Sequence, residues 1–187
     1  MYPALEVAKL LLRLAHDDDD DITNLKLQKL LYYAQGRFLA AYDEPLFVEN
    51  IVRWTHGPVV PEVYHEYSRF GSNLIPVPRQ STVASFSVRD RRSISTTYDL
   101  YCSYSAGALR RATHEEMPYK STSPRAVITR QKMRDFFREQ PHGALPVDPS
   151  IDVSLSTDHL LLEQARRTAT EFVDLDGFLK TINLETD

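Results

Sequence analysis

Histidines, carboxylates and one thiol are the residue types on which this chain could build reactivity. The six histidines, at 16, 56, 65, 114, 142 and 159, show no metal-ligand spacing with the single Cys102, and no HExxH pair occurs. No Gly-rich phosphate loop is present. Thr113-His114-Glu115-Glu116 could supply an acid and a base, but a histidine beside two carboxylates at a helix end more often forms a satisfied polar cluster. Cys102 lies in an aromatic-rich stretch with no cue for an activated thiolate, so packing is its expected role. The unbroken Asp17–Asp21 run lacks the spaced ligands and glycine of a calcium loop and reads as a solvated connector. These residues point away from an enzyme and from any cofactor or metal.

A second constellation suits binding better. Trp54, His56 and Tyr64 flank the turn Thr55-His56-Gly57-Pro58, and Lys29 and Tyr33 come from the preceding helix. Loops held by a rigid scaffold often carry binding residues, and Trp, Tyr and Arg dominate interface energetics. An aromatic and basic rim around a sharp turn is therefore expected to border a partner-binding face. The competing reading makes Trp54 a buried residue and the turn a helix entry that only maintains the fold.

The elements that must position these residues are mostly helical. Pro3 opens a helix with an apolar stripe, Leu5 to Leu14, ending near His16. Thr23 caps a second, central helix whose Leu27, Leu30, Leu31, Ala34, Phe38 and Leu39 recur at helical spacing. Lys26, Lys29 and Arg37 fall outside that stripe. Residues 46–54 read as extended, with a short strand pair around 46–56, and a helix from about Glu62 to Phe70 stops at Gly71. Further helices are expected over Ser87–Tyr101, with Val88, Ile94, Tyr98 and Tyr101 on one side, then Ala106–Thr113 behind a Ser105 cap. Thr129 caps a last helix whose Met133, Phe136 and Phe137 face inward and whose Arg130, Lys132, Arg134 and Arg138 face water. The fold class is mainly α, a compact helical bundle with a short β segment and a C-terminal helical appendage.

Composition sets the scale. With 187 residues, 42% of them hydrophobic, one sizeable core plus an appendage is affordable. No signal peptide or membrane-length apolar run is seen, which reads as a cytoplasmic protein. The net charge of -4 is unevenly spread: residues 1–79 carry -3, residues 80–140 carry +5 and residues 141–187 carry -6. The acidic tail opens with Pro141, Gly143, Pro146 and Pro149, a linker, and continues into an amphipathic helix over 158–172 with Leu161, Leu162, Ala165, Ala169 and Phe172. Leu162 is the expected contact residue of that helix, whether it docks on its own domain or on a partner. The division is thus 1–140 and 141–187.

Residues 22–71 also carry a resemblance. Ile22-Thr23-Asn24-Leu25-Lys26-Leu27-Gln28-Lys29-Leu30-Leu31-Tyr32-Tyr33-Ala34, then Arg53-Trp54-Thr55-His56-Gly57-Pro58-Val59-Val60-Pro61-Glu62-Val63-Tyr64, are similar to the signature of Panacea-domain antitoxins. Tyr104-Ser105-Ala106-Gly107-Ala108-Leu109, Thr113-His114-Glu115 with Pro118, and Ile128-Thr129 to Asp135-Phe136-Phe137 follow in the expected order. The resemblance covers Ala4 to Arg138. It implies a protein of a toxin–antitoxin system that holds a cognate toxin inactive by direct binding, without turnover. A phage- or prophage-borne inhibitor of a host protein, or a proteolytic adaptor, is the alternative. Autoregulatory DNA binding is less favoured, because the balance is acidic and no helix-turn-helix is recognisable. Oligomeric state is left open.

Overall fold

The computed structural model describes residues 1–77 and 86–140. Met1–Glu139 form one compact unit. The expected linker, the helix over 158–172 and Leu162 lie outside the described residues.

Helix α1 (Ala4–Asp17) follows the extended Pro3 and buries Val7, Ala8, Leu11, Leu12 and Ala15. Helix α2 (Asn24–Tyr42) begins where Thr23 Oγ1 accepts from the Lys26 amide at 3.3 Å, which satisfies one of the free first-turn donors. Strand β1 (Ile51–Trp54) turns through Thr55-His56 into β2 (Gly57–Val59), and Pro61 opens α3 (Pro61–Tyr67), which tightens to a 3₁₀ turn over Ser68–Phe70. Ser87 caps α4 (Val88–Tyr101) and Ser105 caps α5 (Ala106–Glu115), each hydroxyl accepting a first-turn amide. A one-turn helix α6 (Met117–Lys120), strand β3 (Val127–Ile128) and α7 (Arg130–Glu139) complete the unit. The bundle and the short β segment agree with the reading of the sequence.

The three strands are antiparallel in the order β2-β1-β3, with Val52 opposite both Val59 and Val127. β3 brings residues 127–128 beside 51–52, a pairing that two residues are too few to announce.

Helix α2 is the axis of the unit: α1, α3, α4, α5, α7 and β2 all pack on it. It is covered on nearly every side, so its buried residues include Asn24, Lys26, Gln28, Lys29 and Gln35 as well as its leucines. This corrects the expectation that Lys26 and Lys29 lie outside the core. Gly36 lets α7 approach, since a Cβ there would penetrate the Phe137 ring. Val88 is 87% exposed rather than part of the α4 apolar side. Phe136 is only half-buried, whereas Met133 and Phe137 are inside.

Candidate partner-binding face

The polar side chains of α2 explain how the hairpin β1–β2 and the start of α3 are held. Lys29 Nζ donates to the Pro58 carbonyl at 2.8 Å. Gln28 Oε1 accepts from the Val60 amide at 2.9 Å, and Asn24 Nδ2 donates to the Tyr64 carbonyl at 3.1 Å. From the opposite side the Tyr119 hydroxyl donates to the Trp54 carbonyl at 2.9 Å, and His114 Nε2 stands 3.1 Å from the Thr55 carbonyl. Backbone groups of residues 54, 55, 58, 60 and 64 are thus gripped by side chains from α2, α5 and α6. Buried backbone polar groups must be satisfied, and here tertiary partners rather than a ladder satisfy them.

Gly57 is what permits this seating. Its φ is +104°, and a Cβ there would lie 2.6 Å from Lys29 Nζ. Only glycine adopts that dihedral without strain, and only a missing side chain leaves room for the ammonium.

Ile51 and all of β2 are buried, whereas Val52, Arg53 and Trp54 of β1 keep part of their surface. Trp54 and Tyr64 are half-buried and meet edge to face at 4.9 Å, while His56 and His65 are exposed and His65 packs against both rings. Residues two apart on a strand share a face, so Val52 lies beside Trp54, with the 42% exposed Val127 opposite Val52 across the pair. The result is an aromatic and aliphatic face on a rigid backbone, rimmed by histidines. Trp54 and Tyr64 are brought together, and His56 stands exposed in the adjoining turn. His65 and Val127 were not singled out in the sequence; the Tyr64-His65 adjacency was the available signal for the first, and nothing signalled the second.

Lys29 and Tyr33 do not border this face as side chains. Lys29 is 0% exposed and Tyr33 1%. Lys29 sits beneath the turn, and burial, then the nearby Arg110, lowers its ammonium to about 7. Tyr33 stacks on Tyr101 at 4.0 Å and donates to Glu116 Oε1 at 2.9 Å. Burial raises Glu116 to about 7 against the opposing pull of the tyrosine hydroxyls. The Tyr32 hydroxyl shares these surroundings but does not meet Glu116 Oε2 at hydrogen-bond geometry, and neither atom has another partner among the described residues. The correction is that both are core side chains: Lys29 holds the turn from beneath, and Tyr33 belongs to the packing of α2 with Tyr101 and Glu116.

Nothing in Thr113-His114-Glu115-Glu116 converges on a cleft. His114 Nδ1 lies 2.6 Å from the Arg110 carbonyl, Glu115 pairs with Lys120 at the surface and Glu116 points into the core. Burial and then Asp99 push the Cys102 thiol up, which disfavours a thiolate. Among the described residues no group of three His, Cys, Asp or Glu could hold a metal ion, and no helix is long and apolar enough to cross a membrane.

Residues 27–120, half of the chain, match the family described as Antitoxin SocA-like, Panacea domain. A relative named Antitoxin SocA, from Caulobacter vibrioides (strain NA1000 / CB15N), is 47% identical over 72 residues. That match covers 38% of this chain and 38% of the relative. No solved structure matches. With most of α2, the β1–β2 hairpin and α3 inside the matched residues, the chain belongs to the SocA-like family of Panacea-domain antitoxins.

Proposed function

We propose that this protein is an antitoxin that neutralises a partner toxin by direct, stoichiometric protein–protein binding in the cytoplasm. The observation that carries the reading is the clamped hairpin: its backbone is fixed by Lys29, His114 and Tyr119, and Trp54, His56, Tyr64 and His65 are left at the surface. Pre-ordered aromatic residues lose little entropy on binding, and such residues anchor interfaces. Family membership supplies the class of partner. No catalytic turnover is needed, because covering a toxin surface suffices to silence it.

The test is co-expression with the protein encoded by the adjacent reading frame. Growth restored together with a co-purifying complex is the expected result. Rescue without any complex in pull-down or cross-linking would overturn direct neutralisation and favour an adaptor or a DNA-level mechanism.

A further inference from the structure

Arg110 of α5 carries a guanidinium that the rest of the unit leaves unanswered. It lies one turn before Thr113 and His114 and so shares the helix face that borders the hairpin turn. Thr113 Oγ1 is 3.1 Å from where a Cβ at Gly57 would stand, and His114 Nε2 is 3.1 Å from the Thr55 carbonyl. The Arg110 carbonyl accepts from Thr113 Oγ1 at 2.9 Å, but its side chain has no such engagement. Nε is buried without a hydrogen-bond partner among the described residues. Nη1 and Nη2 have none there either, yet they are not buried atoms, so on this half-buried residue they are the part that meets the surface.

The surroundings distinguish it from a solvated surface arginine. The Lys29 ammonium is held beneath the turn by the Pro58 carbonyl, close enough to Arg110 for the two charges to oppose each other. The carboxylates that follow on the chain are engaged elsewhere: Glu115 pairs with Lys120, and Glu116 accepts from Tyr33 inside the core. Covered charges are ordinarily paired. Here one cation is half-covered beside another, and neither has a carboxylate among the described residues, so the arrangement forgoes stability on its own.

We propose that Arg110 receives a carboxylate, an Asp or Glu side chain of the partner toxin, seated end-on across Nη1 and Nη2 at the border of the Thr55-His56 turn. This rests on the reading of the chain as an antitoxin and adds the chemistry of one contact. A guanidinium offers two parallel N–H donors to a carboxylate, and such charge-assisted bonds are stronger than neutral ones. Nε stays covered, so only the outer fork takes part. An incoming negative charge also offsets the opposition between Arg110 and Lys29, which a neutral group does not. A nucleic-acid phosphate fits less well, because DNA is held by many cations along its backbone and this chain has a net charge of -4.

The test pairs binding with stability, using the full chain and the protein encoded by the adjacent reading frame. Arg110→Met keeps the aliphatic stem and removes the charge. It should weaken the complex about thirtyfold in calorimetry, as loss of an interface arginine does. Its melting temperature should stay equal or rise, because the opposition to Lys29 goes with the charge. Arg110→Lys keeps the charge without the fork and should weaken binding several-fold. Reversal to Lys of the partner carboxylate, found by scanning the partner's exposed Asp and Glu residues, should cost little further in the Arg110→Met background. Unchanged affinity in Arg110→Met overturns the proposal and leaves the antitoxin reading standing. A fall in melting temperature that accounts for the weaker binding overturns it as well, by making Arg110 structural. If the parent chain binds no such protein, the antitoxin reading fails and this proposal falls with it. Loss of salt-sensitive binding to a promoter fragment in Arg110→Met, with toxin affinity intact, would assign the fork to phosphate and overturn the carboxylate.

Discussion

Lys29 Nζ lies under Gly57 and donates to the carbonyl of Pro58 at 2.8 Å, so a buried amine of the central helix fixes the turn that carries His56. Gly57→Ala must therefore both strain φ and displace the ammonium. A loss of about 2–4 kcal/mol is expected, combining about 1–3 kcal/mol of backbone strain with local overpacking. Urea unfolding measures it, and the double variant with Lys29→Ala should lose less than the sum of the two singles.

The surface residues should behave in the opposite manner. Trp54→Ala or Tyr64→Ala should weaken toxin binding by more than about 2 kcal/mol, roughly thirtyfold, as anchors of an interface do. His56→Ala should abolish growth rescue while the melting temperature stays within a few degrees of the parent, because His56 is exposed. Calorimetry and thermal melts on the same samples separate the two effects. Unfolding of the Tyr64 variant would place that ring in the fold rather than the interface.

Lys29 and Glu116 give opposite pH dependences. The folded chain holds a proton at Glu116 between its ordinary 4.5 and about 7 that the unfolded chain has released, so stability falls as pH rises through that window. Lys29 is lowered from 10.5 to about 7; between those values the unfolded chain binds the extra proton, so stability rises with pH there. The two contributions meet in a minimum near neutrality, each limb on the order of a few kcal/mol. Glu116→Gln should flatten the acid limb and Lys29→Met the alkaline one in chemical unfolding from pH 4.5 to 10. A profile unchanged by Glu116→Gln would sink the assignment.

Gly36 and Phe137 form a close contact between α2 and α7. Gly36→Ala should cost about 1–3 kcal/mol through overpacking, and Phe137→Leu in the same chain should restore part of it. Equal loss in single and double variants would mean that the helix backbones, not the ring, take up the strain.

Leu162 lies outside the described residues, and its contact role rests on the sequence. Leu162→Asp should weaken partner binding more than neutralising Glu163 or Glu171, since apolar burial rather than exposed charge carries docking. Unchanged affinity would make the tail a bystander.

The parts legible in the sequence were those with local causes. Thr23, Ser105 and Thr129 mark helix starts because a hydroxyl needs only an amide two or three residues on. Gly57-Pro58 announces its turn through backbone geometry. The interior of α2 was illegible for the converse reason. Periodicity assigns a lysine to water, yet Lys26 and Lys29 are held inside by the carbonyls of Cys102 and Pro58, 76 and 29 residues away. The Tyr33–Glu116 bond joins positions 83 apart, and the outer sheet row depends on a strand of two residues.

Gln35 shows what such an interior entails. Its Oε1 accepts from the amides of Leu46 and Phe47 at 2.9 and 3.1 Å, and its Nε2 returns a bond to the Phe47 carbonyl at 3.1 Å. With Asn24, Gln28 and Lys29, it gives α2 a toothed surface. A slip or rotation of the helix would strand several buried groups at about 1–3 kcal/mol each. An oily helix tolerates drift, but this one admits one seating, and a change at any tooth requires a matching change in the loop it holds. The half-buried ring of Trp54 and the exposed His56 and His65 make no such bonds to the interior of α2. On such a scaffold the outer side chains can change without disturbing the bonds that seat α2, so surface and interior are separable by substitution.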